Sequence, residues 1–374
     1  MIKEKKKNKT FLNIILFLLL IVLLLVFFGF VILKFSKPFP DQNSFLLIAK
    51  ILFISYFATF LQIIIHEAGH LVFGLLSGYK FSSFRIFNLM WLKENGKIKL
   101  KKFSLAGTGG QCLMVPPEIV DGKLPVFLYN MGGAFMNIIV SLISLVLFFI
   151  FTNFPFLSFT LILISLNGAL TALLNGFPLK NSLITNDGYN AISLRKDPDA
   201  LKAFWLQMKM NEQVSQGIRL KDMPAEWFTV PTDEQMKNTM ISAIGVFACN
   251  RMMEEKRFQE ADSLMEHFLK IDSSIVGIHR NLLICDRMYC EMISNNRKDI
   301  IDKMLTKQQK EFMQSMKNFA SVIRTEYTYA LLVEKNSVKA KKIKAKFDEV
   351  SKTYPYQCDI QSEKELIEIA EKLV

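Results

Sequence analysis

Apolar runs alternate with polar segments along the first half of the chain. Leu, Ile, Val and Phe dominate four of these runs, at residues 11–33, 45–76, 129–152 and 157–177. About 20 apolar residues suffice for a helix to cross the hydrocarbon layer. The first run is longer than the apolar core of a secretory signal peptide, and no small-residue cleavage site follows it. The pattern therefore predicts four transmembrane helices, of which the first is an uncleaved anchor.

The segment after the second run carries a β-hairpin signal. The β-prone stretches 84–93 and 97–101 flank the dipeptide Asn95-Gly96, and Asn-Gly in such a position is typical of a two-residue hairpin turn. This hairpin is either a surface element with a charged face or an edge strand that captures an extended peptide. The glycine-rich stretch 107–111 that follows is either a re-entrant loop near the bilayer or a plain turn.

From Tyr189 onward the pattern changes to that of soluble helices, because apolar residues recur every three to four positions. Seven helices are predicted, at residues 238–256, 258–271, 275–294, 298–316, 319–334, 338–353 and 362–373. Their short joints weakly resemble tetratricopeptide repeats, although the usual 34-residue spacing is not kept. This domain either binds a partner protein or caps the membrane core.

Together these patterns predict a mainly α fold class. We expect a polytopic α-helical membrane protein with four transmembrane helices and a small β-hairpin insertion, followed by a soluble α-helical hairpin domain. Residues 1–44 form a basic segment, the anchor helix and an outer loop with Pro38 and Pro40. Residues 45–190 form the membrane-embedded core, and residues 191–374 form the cytoplasmic helical domain.

Charge adds an orientation to this picture. The chain has 374 residues, of which 51% are hydrophobic, a mean hydropathy of +0.25 and a net charge of +12. Much of the excess lies in the first nine residues and in residues 80–102, beside apolar runs, so orientation in the lipid bilayer explains it and nucleic acid is not an expected partner. We predict a multi-pass protein of the cell membrane with cytoplasmic N- and C-termini. The five scattered cysteines predict free thiols in a reducing compartment.

Candidate chemistry lies in the second apolar run, in the sequence His66-Glu67-Ala68-Gly69-His70. Residues four apart share a helix face, so both imidazoles can reach one tetrahedral metal ion while Glu67 lies beside them. A carboxylate in that position takes a proton from metal-bound water during attack on a peptide carbonyl. A lone histidine on an apolar face is usually a core residue. Two histidines with a glutamate in register at membrane depth favour a metal site.

Such a site needs a third protein ligand. If the N-terminus lies inside, the fourth crossing ends on the cytoplasmic side, at the level of the two motif histidines, and Asp187 follows it. Asp187 is the only carboxylate between Lys123 and Asp197. This favours a ligand role for Asp187, and the alternative is a turn or helix N-cap at Asn186-Asp187-Gly188.

The third crossing holds two further features. Gly132, Gly133 and Ala134 form a small-residue face that would let another helix approach closely. Asn137 is polar at membrane depth. It is either a hydrogen-bonding link between helices or an amide that holds the backbone of a bound substrate.

Taken together, residues 63–188 resemble the site-2 protease family of intramembrane zinc metallopeptidases. In that family a His-Glu-x-x-His helix supplies two zinc ligands and the general base, which match His66, His70 and Glu67. A Gly-x-x-x-Asn element of a later crossing matches Gly133 and Asn137, and the resemblance implies that both contact the substrate.

An Asn-x-x-Pro element followed by Asp-Gly matches Asn175, Pro178 and Asp187, which implies that Asp187 is the third ligand. Ala134 stands where the family usually has proline, and the gap from Pro178 to Asp187 is longer than the common form. The resemblance implies one Zn²⁺ per chain and an endopeptidase that cleaves transmembrane or membrane-associated peptides or proteins near the cytoplasmic face. Regulated proteolysis and peptide maturation are both compatible with it.

Two other classes of function fit the sequence less well. A non-catalytic membrane scaffold would recruit partners through the helical tail and would keep a structural or vestigial metal site, but such a site has no use for Glu67. A metal transporter would need further polar ligands along the third and fourth crossings. Few polar residues are found there beyond Asn137, Ser141, Ser144, Ser165 and Asn167.

Overall fold

The computed structural model describes residues 2–37, 44–105, 108–179 and 185–374, with the backbone alone for residues 2–12. Pro38, Pro40 and Gly107, on which the predicted outer loop and glycine-rich stretch partly rest, lie outside these ranges.

The chain divides into two compact units. The first comprises Met1–Ser77, Pro125–Lys180 and Asn186–Ile192, and the second comprises Gly78–Leu124, Asn181–Thr185 and Ser193–Val374. The structure therefore groups the anchor helix with the other apolar helices. It groups the sheet segment with the helical tail, whereas the division made from the sequence placed that segment within residues 45–190.

Five helices make up the described part of the first unit. They are α1 (Ile2–Phe35), α2 (Ser44–Leu76), α3 (Val126–Ile150), α4 (Pro155–Gly176) and α5 (Asp187–Ser193). The first four are long and apolar enough to cross a membrane. Leu, Ile, Val and Phe side chains remain exposed along them, as contact with lipid requires. The predicted fold class is confirmed, and the four helices indicate a membrane protein.

Glycine allows α2 and α3 to pack closely. A Cβ atom built on Gly69 would lie 2.3 Å from the Gly132 carbonyl oxygen, and one built on Gly132 would lie 2.6 Å from the Gly69 oxygen. Side chains larger than hydrogen would separate the two backbones, so the predicted small-residue face is confirmed. Helices α3 and α4 are linked by two buried serines: Ser141 Oγ donates to the Ser165 carbonyl at 2.7 Å, and Ser165 Oγ donates to the Ser141 carbonyl at 2.8 Å.

The second unit begins with an antiparallel four-stranded sheet. Its strands are β1 (Lys80–Ile86), β2 (Leu89–Glu94), β3 (Lys97–Lys102) and β4 (Gly110–Val115), in the spatial order β3-β2-β1-β4. Glu94 pairs with Lys97 across Asn95 and Gly96, whose φ angles of 50° and 76° suit a two-residue hairpin turn. The predicted hairpin is confirmed as part of a larger sheet.

Two details of the sheet differ from the sequence prediction. The stretch 84–93 is two strands, because the chain turns at Phe87, which has a φ of 50°. Arg85 Nη1 donates to the Phe87 carbonyl at 2.8 Å and holds this turn. The end of the glycine-rich stretch, from Gly110, forms strand β4 paired with β1. Its Cys112 and Met114 are buried and face the core. This burial favours a strand, which the glycines at its start did not indicate in the sequence.

Helices follow the sheet. They are α6 (Pro198–Ser215), α7 (Thr239–Glu254), α8 (Phe258–Lys270), α9 (Gly277–Ile293), α10 (Lys298–Met304), α11 (Lys307–Ser315), α12 (Ala320–Thr328), α13 (Ser337–Thr353) and α14 (Gln357–Glu371). The predicted helix 298–316 is broken into α10 and α11, since the Thr306 side chain accepts from Gln309 N and caps a new helix. The end of the predicted helix 319–334 is a π-helical turn, Tyr329–Val333. Repeat character in this domain stays a prediction.

The sheet and α6 are joined within this unit. Trp205 Nε1 donates to the Pro117 carbonyl at 3.0 Å, and Lys209 forms an ion pair with Glu118 at 2.8 Å. The five cysteines are buried, and no disulfide forms among the described residues.

Candidate metal centre

Three predicted ligands meet at one point in the first unit. His66 Nε2 lies 3.0 Å from Asp187 Oδ2, and His70 Nε2 lies 3.4 Å from the same oxygen. The two Nε2 atoms are 3.2 Å apart. The helical period of α2 brings the imidazoles together, and the start of α5 supplies the carboxylate from 121 residues farther along the chain. These side chains form a group that could hold a metal ion.

The spacing of the three atoms suits tetrahedral coordination. Imidazole nitrogen and carboxylate oxygen bind zinc at about 2.0–2.2 Å, so neighbouring ligand atoms of a tetrahedral site lie roughly 3.3 Å apart. The separations here run from 3.0 to 3.4 Å. Three ligands also leave a fourth position, which in catalytic sites holds water.

The second nitrogen of His70 fixes the tautomer of this ring. His70 Nδ1 lies 2.8 Å from the Tyr129 carbonyl oxygen. A carbonyl can only accept, so Nδ1 carries the proton and donates it. The neutral ring then presents an unprotonated Nε2 toward the cluster, as a metal ligand must.

Asn137 does the same for His66. Its Nδ2 donates to the Gln62 carbonyl at 3.0 Å and to Gln62 Oε1 at 2.6 Å, which turns Oδ1 toward His66 Nδ1 at 2.8 Å. Gln62 Nε2 in turn donates to the Ile164 carbonyl at 2.9 Å. Asn137 and Gln62 are both 0% exposed. These hydrogen bonds link α2, α3 and α4, and they leave His66 Nε2 as an acceptor.

The donor set therefore calls for a cation. Two neutral imidazole nitrogens and a carboxylate oxygen are all acceptors, and they repel one another at these distances unless positive charge lies among them. Burial alone would raise the pKa of the Asp187 carboxyl. The neighbouring imidazoles of His70 and His66, when they carry positive charge, outweigh burial and hold that pKa below its ordinary value. A metal ion would supply that charge and leave both rings neutral.

Hydrogen bonds of Asn186 and a close glycine contact hold Asp187 beside the two histidines. Asn186 Nδ2 donates to the carbonyls of Leu174 at 2.9 Å and Phe177 at 2.6 Å, and Asn186 Oδ1 accepts from Tyr189 N at 3.0 Å. Asn186 thus caps α5 and ties it to the end of α4. A Cβ on Gly188 would lie 2.1 Å from the Gly176 carbonyl oxygen, so only glycine permits this approach. The cap predicted as an alternative for this turn is Asn186, and Asp187 is left to face the imidazoles.

The remaining predicted site residues surround the same ring. A Cβ on Gly133 would lie 2.4 Å from His66 Cε1, so Gly133 packs against the imidazole. Asn137 binds His66, as described above, and a role of Gly133 and Asn137 toward substrate stays a prediction. Glu67 is buried on α2 beside His66. Asn175 Nδ2 donates within α4, to the Thr171 carbonyl at 3.0 Å.

Sequence reasoning missed Gln62 and the backbone of Tyr129. Gln62 lies four residues before His66, on the same helix face, and this spacing was the available signal. The Tyr129 carbonyl has no sequence signature, because every residue carries one. Comparisons with protein-family models, with curated proteins and with solved structures find no match for this chain. The function therefore has to be inferred from the site and the sequence.

Proposed function

We propose that this protein is an intramembrane zinc metalloendopeptidase that cleaves transmembrane or membrane-associated peptides near the cytoplasmic face. One observation carries the proposal: His66, His70 and Asp187 converge at the spacing of a tetrahedral site, and the buried Glu67 follows His66 on the same helix.

Zinc is the metal that suits this site best. Imidazole binds zinc, copper, iron and nickel, whereas magnesium and calcium prefer oxygen alone. Two histidines and one carboxylate form a three-ligand set of the kind found in catalytic zinc sites. A structural site would usually be closed by a fourth protein ligand, and the group found in the described residues has three.

Each residue has a distinct task in the proposed hydrolysis. Bound zinc would polarise the scissile carbonyl and make its water more acidic. Glu67 would accept a proton as the water oxygen attacks the carbonyl carbon, and it would pass the proton to the leaving amine as the C–N bond breaks. Asn137 and the Tyr129 carbonyl would keep the two imidazoles in the orientation and tautomer that this step requires.

The position of the site supports a membrane substrate. His66, Glu67 and His70 lie in the last third of α2, a candidate membrane span. The basic segment that begins at Lys80 follows this end of the helix, and basic segments prefer the cytoplasmic side. We therefore place the site near that face, with both termini in the cytoplasm of a multi-pass protein of the cell membrane.

The test compares purified wild type with Glu67→Gln and His66→Ala. Bound zinc is measured by elemental mass spectrometry, and cleavage of reconstituted membrane peptides is measured by mass spectrometry of the products. We expect about one zinc and cleavage for the wild type, zinc without cleavage for Glu67→Gln, and neither for His66→Ala. Glu226→Gln, which changes an exposed acid, is the matched control and should behave as wild type. Cleavage by Glu67→Gln at the wild-type rate would contradict the proposal.

A further inference from the structure

A second group of charged side chains surrounds a cavity in the helical domain. The cavity has a volume of about 240 Å³ and is lined by residues of α7, α9, α12 and α14, together with residues next to these helices in the chain (Lys256, Phe319 and Tyr354) and with Arg219 and Leu220. None of these residues belongs to the metal centre.

Arg324 is the most buried charge of this cavity. Its side chain is 1% exposed, its Nε donates to Glu363 Oε2 at 2.8 Å, and its Nη2 donates to Asp286 Oδ1. Within the described ranges, Nη1 has no hydrogen-bond partner. Arg219 Nε, also in the lining, makes no hydrogen bond within these ranges either, and it lies 3.7 Å from Glu254 Oε2, beyond hydrogen-bond distance. Buried donors almost always find an acceptor, so two such atoms around one cavity point to a ligand with carbonyl or carboxylate oxygens.

Asp359 is the matching acceptor. Among the described residues its one hydrogen-bond donor is the weak thiol of Cys358, at 3.8 Å. The other carboxyl groups of the lining are engaged: Glu254 accepts from Ser362 Oγ at 2.8 Å, and the rest accept from an arginine (Asp286 and Glu363 from Arg324, Glu365 from Arg219). Burial, with Glu254 and Glu363 nearby, raises the pKa of Asp359 to about 7. A cation beside Asp359 would favour its charged form.

The charge, volume and aromatic lining of the cavity restrict the kind of ligand that it can bind. Five carboxyl groups and three cationic side chains line the cavity, so negative charge is in excess. Burial lowers the pKa of His279 to about 4, so this ring is neutral near pH 7. Pockets that hold drug-sized ligands measure about 300–1,000 Å³. This cavity is smaller, so its volume suits a single side chain. Phe247, Phe319 and Tyr354 provide aromatic faces on which a guanidinium can stack.

We propose that this cavity binds a basic side chain, arginine or lysine, of a partner peptide. Its charged group would lie beside Asp359, and a peptide carbonyl would accept from Arg324 Nη1. This function is separate from the proposed hydrolysis, since it needs neither zinc nor Glu67.

The test is calorimetric titration of the full-length protein in detergent with N-acetyl-arginine amide. The matched probe is N-acetyl-citrulline amide, which has nearly the same shape without the charge. We expect the arginine probe to bind at least tenfold more tightly than the citrulline probe. Asp359→Asn should weaken arginine binding tenfold or more, and Asp348→Asn, at an exposed position of α13, should leave it unchanged. Ser321→Arg should block the cavity with its own guanidinium.

Equal affinity for the two probes, or no measurable binding of the arginine probe, would overturn the proposal. Unchanged arginine binding by Asp359→Asn would overturn it as well. Asp359→Asn removes a repelled carboxyl without changing its size, so we expect this variant to fold. The titration is repeated in Glu67→Gln, which lacks the proposed general base, and the same affinity for the arginine probe is expected. A failure of the proposed hydrolysis is thereby distinguished from a failure of the proposed peptide binding.

Discussion

Gly133→Ala tests the metal centre, because the added methyl group would displace the His66 side chain and leave the imidazole itself chemically unchanged. The added methyl group would lie 2.4 Å from His66 Cε1, 2.6 Å from Nδ1 and 2.7 Å from Nε2. Non-bonded carbon atoms prefer a separation of about 3.5–4.0 Å. The imidazole must therefore move by roughly 1 Å or more, or the backbone of α3 must retreat by as much.

Either movement weakens metal binding. The hydrogen bond from His66 Nδ1 to Asn137 is 2.8 Å long, and a shift of this size breaks it. Ligand distances in metal sites hold to within about 0.2 Å, and losing an outer-shell partner alone typically lowers metal affinity by about 10–100-fold. We expect Gly133→Ala to bind zinc at least tenfold more weakly than wild type, as measured by competition with a chromophoric chelator.

The matched control is Gly29→Ala in α1, since a Cβ there meets no atom within 4 Å. It should bind zinc as the wild type does. Circular dichroism of both variants checks that the helices remain formed. Wild-type zinc affinity in a folded Gly133→Ala protein would refute the placement of His66 against α3.

Three further predictions follow from named contacts. Asn137→Leu should lower zinc affinity about 10–100-fold, because His66 Nδ1 loses its acceptor; chelator competition measures this, and an unchanged affinity would contradict the role given to Asn137. Asp187→Asn keeps the shape of the third ligand but removes its charge, so zinc content after dialysis should fall well below one per chain, and full retention would mean that another residue closes the site. Asp359→Asn should stabilise the second unit at pH 8 and have no effect near pH 4. The pKa of Asp359 is about 7 in the folded protein and exceeds its value in the unfolded chain. The free energy of unfolding of the wild type therefore falls as pH rises from the unfolded pKa to the folded one, by at most about 4 kcal/mol. All three tryptophans, Trp91, Trp205 and Trp227, lie in the second unit, so thermal unfolding followed by their fluorescence reports on it, and an equal shift at both pH values would contradict this account.

Local patterns in the sequence predicted what depends on neighbours along the chain. The apolar runs predicted the four long helices, and the Asn95-Gly96 dipeptide predicted its turn, because a two-residue loop with positive φ depends on these residues themselves. The pairing of His66 with His70 is equally local, since one helical turn separates them. These features need no knowledge of tertiary packing.

Features that depend on packing between distant segments were harder to predict. Asp187 was reached by elimination, as the only carboxylate in its region, and by resemblance. Its actual position depends on Asn186 and Gly188, which hold α5 against α4. The contact from Asn137 to His66 exists because glycines let α3 approach α2. Strand β4 was missed because its pairing with β1 gives it a conformation that its glycine-rich start does not indicate.

X-ray absorption at the zinc edge tests the central claim most directly, because it identifies the atoms around the metal. For the zinc-loaded wild type we predict nitrogen and oxygen neighbours at about 2.0–2.2 Å, with the scattering pattern of two imidazoles and without sulfur. Sulfur neighbours near 2.3 Å, or a purified protein that binds no zinc, would contradict the assignment of His66, His70 and Asp187 as its ligands.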